Sequence, residues 1–378
     1  MPELIRLIPA ADPEWDQWLE RVPHDAFHTA AYHRVWQSAG EGEAWLAVFG
    51  STERFLLWPY LLRPVGLSSG FGQELYDVSS VYGYSGPLVA GASPGDPFAA
   101  AAREAIFELW RRANVVSVFS RFHPLLNNHM WLGGTAGCPC LAGPDTPCPC
   151  LKGVRHHGHT VSIDLGLSEE QVRQEYRKNH WHQIDVARRQ GMVTEVDEGP
   201  EAFEAFVRLY HDTMRRNRAD RRYLFTPECM LSLRRALGAR ASIHVARFNQ
   251  QIVAASLVTE CGGLVQYLFA GSSDDYGKMS PLKLLIDDVR RWARKRGNHT
   301  MHLGGGRGGC DDDSLFLFKK GFSDRRHCFY TGRWILDWKV YDRLADERRR
   351  EAGEAGISAV HFPAYRAPLT QHLDLVKV

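Results

Sequence analysis

A chain of 378 residues, 44% hydrophobic and 24% charged, has an ordinary globular composition and length enough for two domains. No run approaches the roughly 18 uninterrupted apolar residues of a membrane span, and the opening MPELIRLIPAADPEW lacks the apolar stretch of a secretory leader, so the expected location is cytoplasmic. A net charge of +2 does not argue for nucleic acid by itself; any polyanion site must be a local patch.

The first elements in chain order are a strand (LIRLIPA), a helix (DPEWDQWLERV) and two strands, AWLAVFG and FLLWPYLLRPV, joined by the turn STER. An apolar and aromatic stretch with glycine breaks comes next, YDVSSVYGYSGPLV. The run DPFAAAAREAIFELWRRAN predicts a helix with Ala101, Ile106, Leu109 and Trp110 on one face, and VVSVFSRF another strand.

A Gly/Pro-rich segment then carries Cys138, Cys140, Cys148 and Cys150 as two C-x-C pairs, with His156, His157 and His159 just beyond. Four thiolates could hold a structural zinc, but the usual spacing is C-x₂-C and each pair here encloses a proline. The segment 134–158 therefore reads as a surface insertion, with zinc as the open alternative and no metal in the mechanism. The remaining cysteines, Cys229, Cys261, Cys310 and Cys328, are scattered like reduced thiols.

SEEQVRQEYRKNHWHQIDVARRQG predicts one linking helix, with Ser168 and Gln171 as a capping box and Gly191 as its stop. Its basic face comprises Arg173, Arg177, Lys178, His180, His182, Arg188 and Arg189. The second half then repeats the order of the first. A strand (MVTEVDEG) precedes helices at PEAFEAFVRLYHDTMRR and TPECMLSLRRALG; the hairpin ASIHVARF and IVAASLVTE turns about Asn249-Gln250; LVQYLFAGSS comes after it. The helix SPLKLLIDDVRRWARKRG is expected to be capped by Ser280, opened by Pro281 and ended by Gly297, before the strand HTMHL. A charged helix at YDRLADERRREAGEAG reads as a solvated tail.

Strand, helices, antiparallel meander, helix, strand is the order of a GNAT-type acyltransferase module. The expected fold is α/β (α+β) with two such modules in tandem: residues 1–165, residues 166–337, and a helical tail over 338–378.

GGGRGGCDDDSLFLFKKGF, residues 304–322, contains G-x-G-x-x-G, the dinucleotide fingerprint. It opens no long helix and no further βαβ unit, and Asp311 to Asp313 would repel a pyrophosphate, so a Rossmann site is rejected. A GNAT enzyme that binds coenzyme A needs a Gly-rich loop before its long helix. The stretch there, GSSDDYGKMSP, offers two aspartates and only Gly271 and Gly277. No cofactor is expected.

YDVSSVYGYSGPLV, YRKNHWHQIDVARRQGM, QYLFAGSSDDYGKMSPLKLL and DSLFLFKKGF, in that order, resemble motifs of the Fem family, the aminoacyl-tRNA-dependent transferases that build peptidoglycan cross-bridges, and their GNAT-like relatives. The likeness covers roughly residues 5–337. The coiled-coil arm of some members has no counterpart here, and the cysteine segment looks like an insertion.

The resemblance implies that Lys319, the lysine of F-K-x-G-F, lies in the active site with Phe318 as an aromatic wall, and that the glycines merely turn the chain toward them. It further implies acceptor contacts from Arg216 and Tyr223, within a run that also holds Arg208, Arg215, Arg218, Arg221 and Arg222, and a site tyrosine at Tyr267. Arg177 and Lys178 are candidates to track an RNA acceptor stem or an acceptor diphosphate. Tyr82 and Tyr84 are expected to line the first-half cleft, where glycines allow close approach. Asp77 is a weak candidate base, with a turn or cap role as the competing reading.

The expected reaction is attack by an amine of a nucleotide- or lipid-linked muropeptide, or another small peptide, on an aminoacyl-tRNA ester. The alternative is acyl-CoA-dependent N-acylation of a sugar, exopolysaccharide or secondary metabolite. A third reading, a non-catalytic scaffold, is disfavoured by Lys319 in its motif.

Overall fold

A computed structural model describes residues 5–66, 72–132, 153–353, 356–357 and 361–368. The chain forms two compact units, residues 1–157 with 329–378, and residues 158–328. It opens with β1 (Ile5–Pro9), α1 (Glu14–Leu19) and α2 (Ala30–Ser38), then β2 (Glu43–Gly50), β3 (Phe55–Pro64), β4 (Tyr76–Ser79) and β5 (Leu88–Ala90). Helix α3 (Pro97–Arg112) and β6 (Val115–Arg121) lead to β7 (Val154–Asp164), within which the chain enters the second unit.

There, α4 (Glu169–Glu175) and α5 (Lys178–Arg189) precede β8 (Val193–Val196), α6 (Pro200–Arg216) and α7 (Pro227–Leu237). The meander β9 (Ala241–Phe248), β10 (Gln251–Cys261) and β11 (Leu264–Ser272) leads into α8 (Pro281–Lys295), β12 (Thr300–Gly305) and α9 (Ser314–Lys320). Within β13 (Arg326–Ile335) the chain returns to the first unit, where α10 (Trp338–Ala352) lies.

In the first unit the strand order is β1-β2-β3-β4-β6-β13, with β5 also on β3. Its core is aromatic: Trp58 meets Trp110 edge-on at 5.2 Å, and Tyr60 meets the same indole at 5.0 Å. A fully buried side chain of this size contributes roughly 2–3 kcal/mol through the area it removes from water. Helix α3 buries Phe98, Ala99, Ala102, Ile106, Phe107 and Trp110. Ala101 is exposed and Leu109 only half-buried, so the inward stripe is rotated from the expected one.

The module boundaries differ from those read in the sequence. The divisions fall inside β7 and β13, not after them, because each of these strands begins in one unit and ends in the other. Nor is α10 a solvated tail. Tyr341, Leu344 and Ala345 are buried against Val65, Leu75, Val116 and Tyr365. Its charged side chains lie on the opposite face, which concealed the apolar stripe.

In the second unit the order is β7-β12-β11-β10-β9-β8. Helix α6 packs backbone to backbone on β11: a Cβ at Gly271 would stand 2.3 Å from the Leu209 carbonyl. On the other face, α5 and α8 close a core of Val161, Ile163, Ile184, Val258, Val265, Leu285, Val289 and Met301. Strands β11 and β12 pair in parallel only over Leu264–Gln266 and Thr300–His302. Beyond Gln266, β11 stays with β10 through a bulge opposite Leu257/Val258, while β12 turns away into its glycines.

The expected linking helix is broken. Tyr176 and Arg177 are extended, with ψ of 138° and 137°, and separate α4 from α5. The capping box of Ser168 and Gln171 is present as expected. The break lets Tyr176 bury its ring at 5.2 Å from Phe322 and donate its hydroxyl to Asp287 at 3.1 Å. Tertiary packing here overrides helical propensity.

Asp77 is neither a base nor a turn residue. It sits in β4 with its carboxylate fully buried between Arg63, at 2.6 Å, and Arg366. Removing that charge would leave two partly buried guanidinium groups without their shared carboxylate. Asp77→Asn is therefore expected to destabilise the protein by about 3 kcal/mol in denaturant unfolding, whereas Asp342→Asn on the exposed side of α10 should change it by less than about 0.5 kcal/mol.

Candidate active site

The candidate site is assembled where β12 ends. Gly304 has φ of +76° and lies at a bulge in the β12–β7 pairing, a conformation that L side chains rarely adopt. Gly305 lies so close to the His159 carbonyl, 2.8 Å from where a Cβ would stand, that a side chain would push the strands apart. The chain thereby doubles back into α9. The glycines shape a turn, in keeping with the reading that rejected a dinucleotide loop.

That turn is latched by one carboxylate. Asp313 caps α9 by accepting the Phe316 N–H, and it also accepts the Arg307 N–H at 2.7 Å and Nε–H at 3.1 Å. Burial acts to raise its carboxyl pKa, but the hydrogen bonds from Arg307, Leu315 and Phe316 together hold it below the usual range. Asp311 takes a different partner, the His159 imidazole at 2.7 Å. The acidic triplet, read as a repelling cluster, is in fact structural at two of its three positions.

Lys319 lies in the last turn of α9 and points back along the turn. Its ammonium donates to the Gly305 carbonyl at 2.7 Å. Burial lowers its pKa from 10.5 to about 8, and Asp313 offsets part of the effect. A lysine tuned so close to neutrality, beside a turn built to receive it, is the kind of group that sites use. Lys320, its neighbour, is exposed.

Phe318 packs at 5.5 Å from Phe322 and 5.7 Å from the His180 ring. It joins Trp181 and Tyr267 at the margin of the second unit's core. Tyr267 sits on β11 where that strand parts from β12. Its hydroxyl is buried, and burial pushes its pKa above the ordinary tyrosine value, partly offset by the neighbouring Ser256 hydroxyl. Ser256, on β10, is fully buried. Two buried hydroxyls thus face each other at the point where the strands separate.

Arg177 and Lys178 are exposed at the start of α5, and the Arg177 N–H donates to the Gly321 carbonyl at 2.9 Å. The structure thus brings the junction motif onto the F-K-K-G-F turn. The remainder of the expected basic face is partly spent. Arg188 is committed to Asp287 and Asp288 at 2.7 and 2.6 Å, and Arg173 stacks over Trp181.

Arg216 ends α6 and reaches the Ser272 carbonyl at 3.3 Å, with Asp274 at 3.6 Å. Tyr223 lies in a short 3₁₀ turn whose backbone carbonyl accepts the Tyr210 hydroxyl at 2.6 Å. Arg307 donates to the Asn217 carbonyl at 3.3 Å, which ties the end of α6 to the glycine turn. Within the arginine run, Arg215 and Arg222 are paired with Asp212 and Asp220.

Tyr82 and Tyr84 belong to the first unit. Both are half-buried on the loop after β4. The Tyr82 carbonyl accepts the Tyr32 hydroxyl, and the Tyr84 ring meets Phe27 and Phe329 edge-on. Gly83, with φ of +106°, leaves no room for a Cβ against Phe27. Cys138, Cys140, Cys148 and Cys150 lie outside the described residues.

The loop before α8 does not form a phosphate cradle. The Gly277, Met279 and Ser280 amides bond to the Asp274, Tyr276 and Gly277 carbonyls at 2.9–3.0 Å, and Pro281 has none to offer. Ser280 does not cap α8 as expected; it adopts a left-handed conformation with φ of 52° and its side chain makes no cap bond. Three amides that a pyrophosphate would need are thus consumed locally.

Two contributors escaped sequence reading. Asp313 was legible in principle as an N-cap immediately before S-L-F-L-F. His180 was not: its partner is a backbone carbonyl 138 residues away.

Residues 174–313 match the acetyltransferase (GNAT) domain family. The chain is similar to the crystal structure of FemX, at 13% identity and a TM-score of 0.65, over 90% of this chain and 99% of that one. It is also similar to a conserved protein of unknown function from Bacteroides thetaiotaomicron VPI-5482, at 11% identity and a TM-score of 0.51, covering 88% and 99%. A tandem GNAT protein from the clavulanic acid biosynthesis pathway is matched at 14% identity and a TM-score of 0.43, covering 87% and 98%. No curated protein sequence matches. The chain therefore has a Fem-like fold of mixed α/β sheets, and its residues 174–313 form an acetyltransferase domain of the GNAT type. Among the described residues no helix is long and apolar enough to cross a membrane.

Holding a half-desolvated ammonium against a single carbonyl costs stability. Below pH 8 Lys319 is charged in folded and unfolded chains alike, so the full cost applies. Between about 8 and 10.5 only the folded form has lost its proton, and the cost is relieved as pH rises. Lys319→Met is therefore expected to raise Tm at pH 7, with an advantage that shrinks toward pH 10; a Tm-against-pH series for both proteins checks this.

Proposed function

We propose that the second unit transfers an aminoacyl group from aminoacyl-tRNA to an amine of a peptidoglycan-precursor peptide or a related peptide acceptor. The observation that carries this reading is the Lys319 ammonium, held by the glycine turn and lowered to about pKa 8, beside Phe318 and the parting of β11 from β12. In an aminoacyl ester the carbonyl is already activated, so the protein has to align the partners and stabilise the developing oxyanion. The amine nitrogen bonds to the carbonyl carbon and the Lys319 ammonium exchanges its Gly305 contact for the oxyanion. The carbon–oxygen bond to the ribose then breaks, and the proton shed by the amine ends on the leaving oxygen.

Phe318 would wall the reacting ester. Arg216 and Tyr223 would meet the acceptor, with Tyr267 at the strand parting. Arg177 and Lys178 would follow donor or acceptor phosphates, while Tyr82 and Tyr84 of the first unit would serve acceptor binding. No cofactor enters the scheme. The competing reading is acyl-CoA-dependent N-acylation of a sugar or secondary metabolite. The acetyltransferase domain match favours it; the locally consumed amides before α8 weigh against it.

The test is label transfer to a nucleotide-linked muramyl pentapeptide from a charged tRNA pool, with acetyl-CoA in a parallel reaction. RNase-sensitive transfer is expected, and transfer from acetyl-CoA alone would overturn the donor assignment. Lys319→Met should lower kcat by roughly 10²–10³-fold, the usual loss on removing one oxyanion donor. In the wild type, kcat should fall as pH rises through about 8, where Lys319 loses its charge. Lys319→Arg, charged throughout, should lack that limb in the pH–rate profile.

A further inference from the structure

His180 is buried at 5% exposure and stands in the first turn of α5. Its Nε2 lies 3.0 Å from the Phe318 carbonyl. A carbonyl can only accept, so Nε2 carries the hydrogen and Nδ1 the lone pair. The ring meets Phe322 edge-on at 4.7 Å and Phe318 at 5.7 Å. Gly321 lies flat against it: a Cβ there would stand 2.3 Å from Nε2 and 2.5 Å from Cε1. One turn earlier, the Arg177 N–H donates to the Gly321 carbonyl at 2.9 Å.

These two bonds reach the end of α9, where helix carbonyls lack intrahelical partners. The same turn is otherwise held by Gly321 N–H to Phe318 and Phe322 N–H to Lys319, both at 3.1 Å. The Phe318 carbonyl thus accepts from both Gly321 and His180. Lys319 lies between the two clamped carbonyls, those of Phe318 and Gly321.

We propose that His180 is a positioning residue: by donating Nε2–H to the Phe318 carbonyl and lying flush on Gly321, it fixes the last turn of α9 and with it the direction of the Lys319 side chain. This rests on the reading of Lys319 as the acting cation. It also accounts for the break at Tyr176-Arg177, since an unbroken helix could not present the Arg177 N–H to the Gly321 carbonyl.

The clamp does not switch over the working pH range. Burial first, then the charges of Lys283 on α8 and Arg177, lower the His180 pKa to about 4, partly opposed by its bond to Phe318. One neutral tautomer therefore persists above pH 5. Facing Lys319 are Asp313, ahead of α9, and the Gly305 carbonyl.

The test is competitive amine labelling across pH 6–11, with the Lys319 peptide followed by mass spectrometry and folding checked by circular dichroism. In the wild type Lys319 should titrate near 8. His180→Phe keeps the ring contacts and removes the donor, and should move the titration toward 10.5 as the lysine swings into water. His180→Gln restores an N–H donor and should return it toward 8. Arg177→Pro deletes the second clamp's N–H at a position whose φ of −54° suits proline, and should move the titration the same way as His180→Phe; Arg177→Ala, which loses the guanidinium and keeps the N–H, should leave it near 8.

A folded His180→Phe protein in which Lys319 still titrates near 8 overturns the proposal, as does an equal shift in the Phe and Gln variants. Should His180→Phe not fold, His180→Leu, which likewise lacks the donor, takes its place. In the transfer assay His180→Phe should lower kcat at least tenfold with KM for both substrates within twofold. If the wild type transferred nothing from either donor, the functional reading would fail, while the labelling experiment would still decide the role of His180.

Discussion

The second unit is organised around a lysine ammonium drawn out of water onto a backbone carbonyl. Charge burial of this kind is unfavourable unless the surroundings force it. Here the forcing elements can be named: Gly304 and Gly305 turn β12 back on itself, Asp313 locks that turn to the start of α9, and α5 grips the helix at its other end. Each closes a short segment that would otherwise let Lys319 extend into solvent, as Lys320 does. The strain is local, and the rest of the unit is conventionally packed around it.

The two units share an order of elements but differ in what their polar groups do. In the first, the buried charge is satisfied: Asp77 lies between two arginines, and Asp25 holds His123 at 2.8 Å deep under the loop that carries Tyr82 and Tyr84. In the second, capacity is left over. Lys319 has one carbonyl where an ammonium can use three acceptors.

Much of this was legible in the sequence because it rests on periodicity and turn residues. The meander about Asn249-Gln250, the long helix opened by Pro281 and the capping box at Ser168 obey local rules. The glycine run was separable from a nucleotide loop by the acidic triplet and the short helix on its C-terminal side. The features that could not be read depend on distant partners. The continuous helical pattern across Tyr176-Arg177 gave no sign that Phe322 and Gly321 would break it. The charges of α10 masked the stripe of Tyr341, Leu344 and Ala345. Arg188 looked like part of an open basic face because Asp287, on α8, is nearly a hundred residues away. His180 looked like one more cation and is instead a neutral donor.

The central claim is that Lys319 is a half-buried, tuned cation and not a surface lysine. The most direct measurement is the titration of its side-chain carbon resonances in the folded protein, assigned by their loss in Lys319→Arg. A midpoint near 8 is expected. A midpoint near 10.5, the value of a lysine in water, would mean that the ammonium is not held against Gly305, and the account of the site would fall.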